Sequence, residues 1–214
     1  MNISANLLYI VAATNLLAAL FTEYDIRVNN AQTPSLMRWV WRLTVLYSGL
    51  IGLAVYWFSG RRQISRDTVW RRGWRSVAHC YAGCGIGEIA GVIISVGLLS
   101  LGNWGVALWS FSLAYVMGFA LTVGPLMQDG VPFKTAVRDS FLAETISITV
   151  MEVTAISLDI WLAGGTGLTS PQFWFALVVS LSAGLFAAWP INVLLIHFGI
   201  KEGMHDPRHM AHDH

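Results

Sequence analysis

Residues 77–99 read VAHCYAGCGIGEIAGVIISVGLL, a run long enough to span a bilayer that nonetheless carries an imidazole, two thiols and a carboxylate. A transmembrane helix needs about 20 predominantly apolar residues. An ionisable group at the bilayer centre costs on the order of 3 kcal/mol even on the lenient insertion scale. His79, Cys80, Cys84 and Glu88 are therefore costly where they stand, and they share the run with Gly83, Gly85, Gly87 and Gly91. Glycines let a neighbouring helix approach closely. Costly groups and close approach in one segment mark a candidate site.

Working outward, the same apolar character recurs along the whole chain. It is 55% hydrophobic and 12% charged, where a soluble domain carries roughly 25% charge. Six segments qualify as spans: roughly 5–22, 39–58, 77–99, 104–127, 138–162 and 172–198. The expectation is an all-α polytopic membrane bundle of about six transmembrane helices. It forms one domain over residues 1–200, followed by a His-rich tail at 201–214. Six crossings put both termini on one face. Loop 59–76 on that face holds Arg61, Arg62, Arg66, Arg71, Arg72 and Arg75, and Lys134, Arg138, Lys201 and Arg208 join them. Only Arg27, Arg38 and Arg42 fall on the other face. The positive-inside rule then makes both termini cytoplasmic and the protein a multi-pass resident of the inner (cytoplasmic) membrane. The first segment is the weakest, with Asn15 at its middle. It is followed by Glu23-Tyr24-Asp25 rather than a small-residue cleavage site, which reads as a retained span.

Helical geometry sorts the polar residues of the third span. At 100° per residue, His79, Gly83, Gly87 and Gly91 form one stripe, and Cys80, Cys84 and Glu88 form the next. The fifth span carries Glu144, Met151, Glu152 and Asp159 within about 100° of one another. Carboxylates in a span face the bundle interior or water rather than lipid. If the glycine stripe packs on the fifth span, Glu88 and Glu152 meet near the midplane, with Cys80, Cys84 and Glu144 about two turns below. Two such carboxylates with no cation nearby share a proton or bind a cation. In the sixth span, Pro190 removes a backbone bond beside Asn192 and predicts a kink.

Thiolate, imidazole and thioether suit soft or borderline metals, copper(I) and zinc first. The third span has CxxxC in place of the usual CxxC spacing, so His79, Cys80, Cys84, Glu88, Glu144, Met151 and Glu152 enter as a candidate metal set on their shared faces. The thiols also suit plain packing. The tail supplies a second candidate set, His205, His209, His212 and His214, with Met204 and Met210 interspersed. Loop 59–76 interleaves its arginines with Trp70 and Trp74, as a topology determinant or an anionic-lipid contact would. The chain has no phosphate loop, Ser-His-Asp set or dinucleotide fingerprint, and no soluble domain that could hold a nucleotide. That points away from an enzyme, and nothing points to nucleic acid.

Three quoted segments carry a resemblance: AHCYAGCGIGEIAG, AETISITVMEV and WPINVLLIHFGIKEGM. They resemble the domain-of-unknown-function family numbered 4396, bacterial and archaeal integral membrane proteins, over roughly residues 70–205. The resemblance maps the family's His-Cys and Gly-Cys pattern onto His79, Cys80, Gly83, Cys84, Gly87 and Glu88. It maps the acidic-x-x-Ser-x-x-x-x-Glu pattern onto Glu144, Ser147 and Glu152, with Glu144 departing from the more usual Asp. The aromatic-Pro-x-Asn pattern falls on Trp189, Pro190 and Asn192. It implies membership in a membrane family and no activity.

The functional expectation is a membrane protein that moves, stores or delivers a soft metal, copper ahead of zinc, through a His/Cys/Glu site between the third and fifth spans. One alternative is a proton- or cation-coupled carrier of a small solute, in which the carboxylates act and the thiols pack. Another is an accessory subunit of a membrane complex, or a homo-oligomer, whose glycine face serves partner helices.

Overall fold

The computed structural model describes residues 4–128, 130–204 and 206–208. The described chain is all helical: α1 (Ala5–Asn29), α2 (Ser35–Ser48), α3 (Leu50–Ser59), α4 (Val69–Val92), α5 (Asn103–Gln128), α6 (Phe133–Ala163) and α7 (Pro171–His197). A π-helical turn, Ile93–Leu98, extends α4. Helix boundaries follow local chemistry. Ser4, Thr68 and Ser170 cap α1, α4 and α7 through their hydroxyls. Gly164, at φ +60°, ends α6 in a left-handed turn. Five helices are long and apolar enough to cross a membrane: α1, α4 with its extension, α5, α6 and α7.

The second expected span, 39–58, is not one continuous helix. It is split at Gly49, whose φ of +56° is open to glycine and strained for other residues. In a straight helix Thr44 and Gly52 would lie about 12 Å apart. Here a Cβ on Gly52 would stand 2.6 Å from the Thr44 carbonyl oxygen. The Trp41 and Tyr56 rings meet edge to face at 5.4 Å. So α3 doubles back along α2, and the pair forms a helical hairpin whose tip stops partway along α1. Asn15 explains the stop: its side-chain amide donates to the Leu46 and Tyr47 carbonyls at 3.2 and 3.4 Å. These belong to the last turn of α2, whose carbonyls have no intrahelical partner. The residue that weakens α1 as a span is the one that receives the hairpin tip.

The open end of the hairpin is tied to the end of α1. Buried Asp25 accepts from Arg61 at 3.0 Å through two nitrogens, from Tyr56 Oη at 2.7 Å and from Asn30 Nδ2 at 2.9 Å. Gln63 donates to the Asn29 carbonyl. The loop after α3 therefore lies beside the loop after α1, at the same end of the bundle. Arg27, Arg38 and Arg42 consequently join the other ten basic residues there, instead of facing away from them. The opposite end, residues 4–8, 98–104 and 163–171, carries no Lys or Arg. Ser4 and Arg208 stand at opposite ends of the bundle, because five long apolar helices, in place of the expected six, run its length.

The four helices α4–α7 form the polar-centred core. α4 packs most extensively on α5, α6 on α7, and α4 also lies along α7. The glycine stripe does not pack on the fifth expected span. It packs on α5: a Cβ on Gly83 would stand 2.8 Å from Gly118 Cα, and one on Gly91 would stand 2.6 Å from Ser110 Cα, while Gly87 meets Ala114. Ser110, Ala114 and Gly118 repeat every four residues on α5, so small residues oppose small residues across the contact. The short connection 99–102 makes these two helices antiparallel neighbours.

Candidate functional site

With its glycines against α5, α4 turns the neighbouring stripe, Cys80, Cys84 and Glu88, into the space shared with α5 and α6. Gly118 leaves room for this: a Cβ there would stand 2.6 Å from the Cys84 sulfur and 3.3 Å from Ile148 Cδ1 of α6. The two free thiols lie 3.8 Å apart and are fully buried. Across from them stands Glu152 of α6, 0% exposed, with the Cys84 thiol beside it and no N–H or O–H donor to either oxygen among the described residues. Its electrostatic neighbours are Cys80, Cys84 and Glu88. Glu88, 1% exposed, has Oε2 without a partner and interacts with Glu152 and with Asp159 further along α6. At about 1.5 Å per residue, Glu88 lies about 7 Å past the midpoint of helix 69–98 and Glu152 about 6 Å past that of α6, both measured from the basic end. The two carboxylates therefore share a depth.

The other expected site residues take different places. His79, on the glycine stripe, faces α5, where Nε2–H donates to the Leu121 carbonyl at 2.6 Å. Its Nδ1 has no partner. Met151 packs against Gly184 of α7. Glu144 is buried nearer the basic end and is paired with a cation, Lys201, at 2.6 Å. Asn192, two residues past the proline, is the hub of that region. Its amide donates to Ser147 Oγ at 2.6 Å and to the Ala188 carbonyl at 2.9 Å. Its oxygen accepts from Ser76 at 3.0 Å and from Lys201 at 2.9 Å. Helix α7 continues through Pro190, and the adjacent Trp189 stacks on Trp74 at 4.5 Å. His205, His209, His212 and His214 lie outside the described residues, as does Met210.

Sequence reading missed Lys201 and Ser76. Lys201 stands in a short polar stretch after α7, where a lysine reads as a solvated end, and its partner Glu144 is far away in the chain. Ser76 precedes the His-Cys segment and looks like an ordinary small residue of a span.

Among the described residues, no three His, Cys, Asp or Glu side chains converge closely enough to hold a metal ion. The seven residues expected as one metal set divide into a thiol and carboxylate pocket (Cys80, Cys84, Glu88, Glu152), an ion-pair network (Glu144) and two packing positions (His79, Met151). Isolated buried carboxylates are very costly to ionise, so Glu88 and Glu152 are each neutralised by a proton or by an accompanying cation.

The opposite end approaches the same pocket. A cleft of about 470 Å³ between α1, the hairpin tip and α7 is lined by Ile10, Asn15, Ser48, Phe175, Ser182 and Phe186 among others. Behind Ser48 and Ser182 lies the buried Tyr81 hydroxyl, itself a neighbour of Glu88.

No curated protein and no solved structure matches the chain. The family described as Domain of unknown function (DUF4396) matches residues 69–201, from the start of α4 to Lys201 and well over half of the chain, which therefore belongs to that family.

Proposed function

We propose that the protein is a cation-handling membrane carrier whose working groups are the facing carboxylates Glu88 and Glu152, with the proton as the first cation they handle. The observation that carries this reading is Glu152: fully buried, with no N–H or O–H donor to either oxygen among the described residues, and with thiols and a second carboxylate around it. Such a group is kept in a membrane interior for transfer, since packing alone would favour an apolar residue. Glu144 lies toward the basic end and Asp159 toward the other, so acids occur along the depth of α6. By the positive-inside rule the basic end is cytoplasmic, in the inner (cytoplasmic) membrane, with Ser4 on the far side.

The test is proton flux in proteoliposomes loaded with a pH-sensitive dye, under a set membrane potential. Wild type should conduct or couple protons. Glu152→Gln should lose about a hundredfold or more, the lower end of the range for a general acid–base group. Cys80→Ser/Cys84→Ser should stay within about twofold. Equal flux in wild type and Glu152→Gln would refute the reading.

A second reading, soft-metal handling with copper or zinc, is favoured by one observation: two reduced thiols 3.8 Å apart beside a carboxylate with no N–H or O–H donor among the described residues. It predicts that metal co-purifying under reducing conditions is lost in Cys80→Ser/Cys84→Ser and that flux follows the thiols rather than Glu152.

A further inference from the structure

The segment after α7 returns under the bundle and places one charge inside it. Gly199, at φ +68°, turns the chain, and Lys201 enters between α4, α6 and α7. Its side chain is 8% exposed. Its Nζ meets Glu144 Oε1 at 2.6 Å and Asn192 Oδ1 at 2.9 Å. The orientation of Asn192 is fixed independently, because its amide nitrogen must face the Ala188 carbonyl, which only accepts. Its oxygen therefore points at whatever occupies the Lys201 position. Two further buried acceptors have no partner in this region: Glu144 Oε2 and His79 Nδ1. His79 is an electrostatic neighbour of both Glu144 and Lys201. The position is lined by oxygen and lone-pair donors on three helices and filled from a non-helical segment.

That segment is peripheral and non-helical. The Ile200 and Lys201 N–H groups bond the Leu195 carbonyl, Met204 packs on the core and its carbonyl accepts from Arg75 at 3.2 Å, while Phe198 and Ile200 are exposed. Peripheral segments open at lower free energy than the helices they cover. Once Lys201 leaves, Glu144 is a buried carboxylate without a counter-charge and draws in another cation.

We propose that Glu144 and Asn192, the latter oriented by Ser147, form a site for an ammonium-sized monovalent cation, which Lys201 fills as a tethered cation and thereby closes the basic end of the carboxylate path. The closing role rests on the carrier reading above; the site does not. Amine nitrogen and potassium or rubidium meet oxygen at similar separations, whereas lithium needs closer ligands than this spacing gives.

Two measurements test it without any transport assay. In detergent-purified Lys201→Ala, rubidium or potassium chloride should raise the melting temperature saturably. The expected rise is about 4 °C at tenfold the dissociation constant, over equal concentrations of choline chloride. Wild type and the Lys201→Ala/Glu144→Gln variant should show no such rise. A response equal to that of choline, or one that survives Glu144→Gln, overturns the proposal. If Lys201→Ala does not fold, wild type gives the answer. The chain has two lysines, and Lys134 is exposed. Reductive methylation read by mass spectrometry should modify Lys201 far more slowly than Lys134 in choline or lithium. In rubidium, Lys201 alone should become several-fold faster, as the ion competes for its site. Equal rates at the two lysines, or no rubidium effect on Lys201, would overturn it. A wild type that shows rubidium competition but no proton flux would keep the site and remove the carrier reading.

Discussion

Asn15 shows how a single polar side chain can decide the path of a segment around it. A lone carboxamide in the middle of a span is unfavourable, and replacing it with leucine makes α1 a better apolar helix. In the folded molecule, however, its two N–H groups hold the carbonyls at the hairpin tip. Asn15→Leu should therefore destabilise the protein by about 1 kcal/mol, the net worth of a hydrogen bond lost at a part-buried position. Thermal unfolding in detergent reads this, and a variant as stable as wild type would contradict the assigned role. The residue scale is also where sequence reading reached furthest. Four-residue spacing puts Cys80, Cys84 and Glu88 on one stripe, because spacing on a helix is local information; it also sets the thiols level with Glu144, whereas in the structure their acidic neighbour is Glu152. Glu144 went astray for the opposite reason. Its partner Lys201 is non-local, and no periodicity announces it.

Among the elements, α4 and α5 make the closest contact, and it depends on absent side chains. A Cβ on Gly91 or Gly83 would overlap the α5 backbone, and Gly87 faces the Leu113 carbonyl and Ala114. Gly87→Leu should force the helices apart and sharply reduce the yield of monodisperse protein. Gly102→Ala, with open space around it, should behave like wild type. Size-exclusion profiles of the two variants compare them, and similar profiles would contradict the packing. The glycine stripe was legible as a packing face, but its partner was misassigned. The matching signal, Ser110, Ala114 and Gly118, was present in the fourth apolar run. The second run failed for a different physical reason. Hydropathy counts apolar residues and is indifferent to whether a helix continues or reverses. Twenty apolar residues that fold back at Gly49 have the same composition as twenty that cross.

For the whole molecule, reversing one hairpin gathers the charge. Every Lys and Arg comes to one end, a stronger asymmetry than six crossings would have produced, and the Trp70, Trp74 and Trp189 cluster lies at that end. Gln32, in the loop after α1, and Gln63, in the loop after α3, should then face the same side of the membrane. Single cysteines at these positions, in a Cys80→Ser/Cys84→Ser background, should both be labelled from the cytoplasmic side of sealed vesicles. Labelling from opposite sides would restore six crossings and remove the hairpin.

The central claim is that Glu88 and Glu152 act as one unit. Groups that work as a unit lose their contribution together, so their losses do not add. Proton flux through reconstituted Glu88→Gln, Glu152→Gln and the double variant tests this most directly. The account predicts that each single substitution removes nearly all of the wild-type flux and that the double variant is no worse than either. Flux retained in Glu88→Gln, or losses that multiply in the double variant, would contradict it.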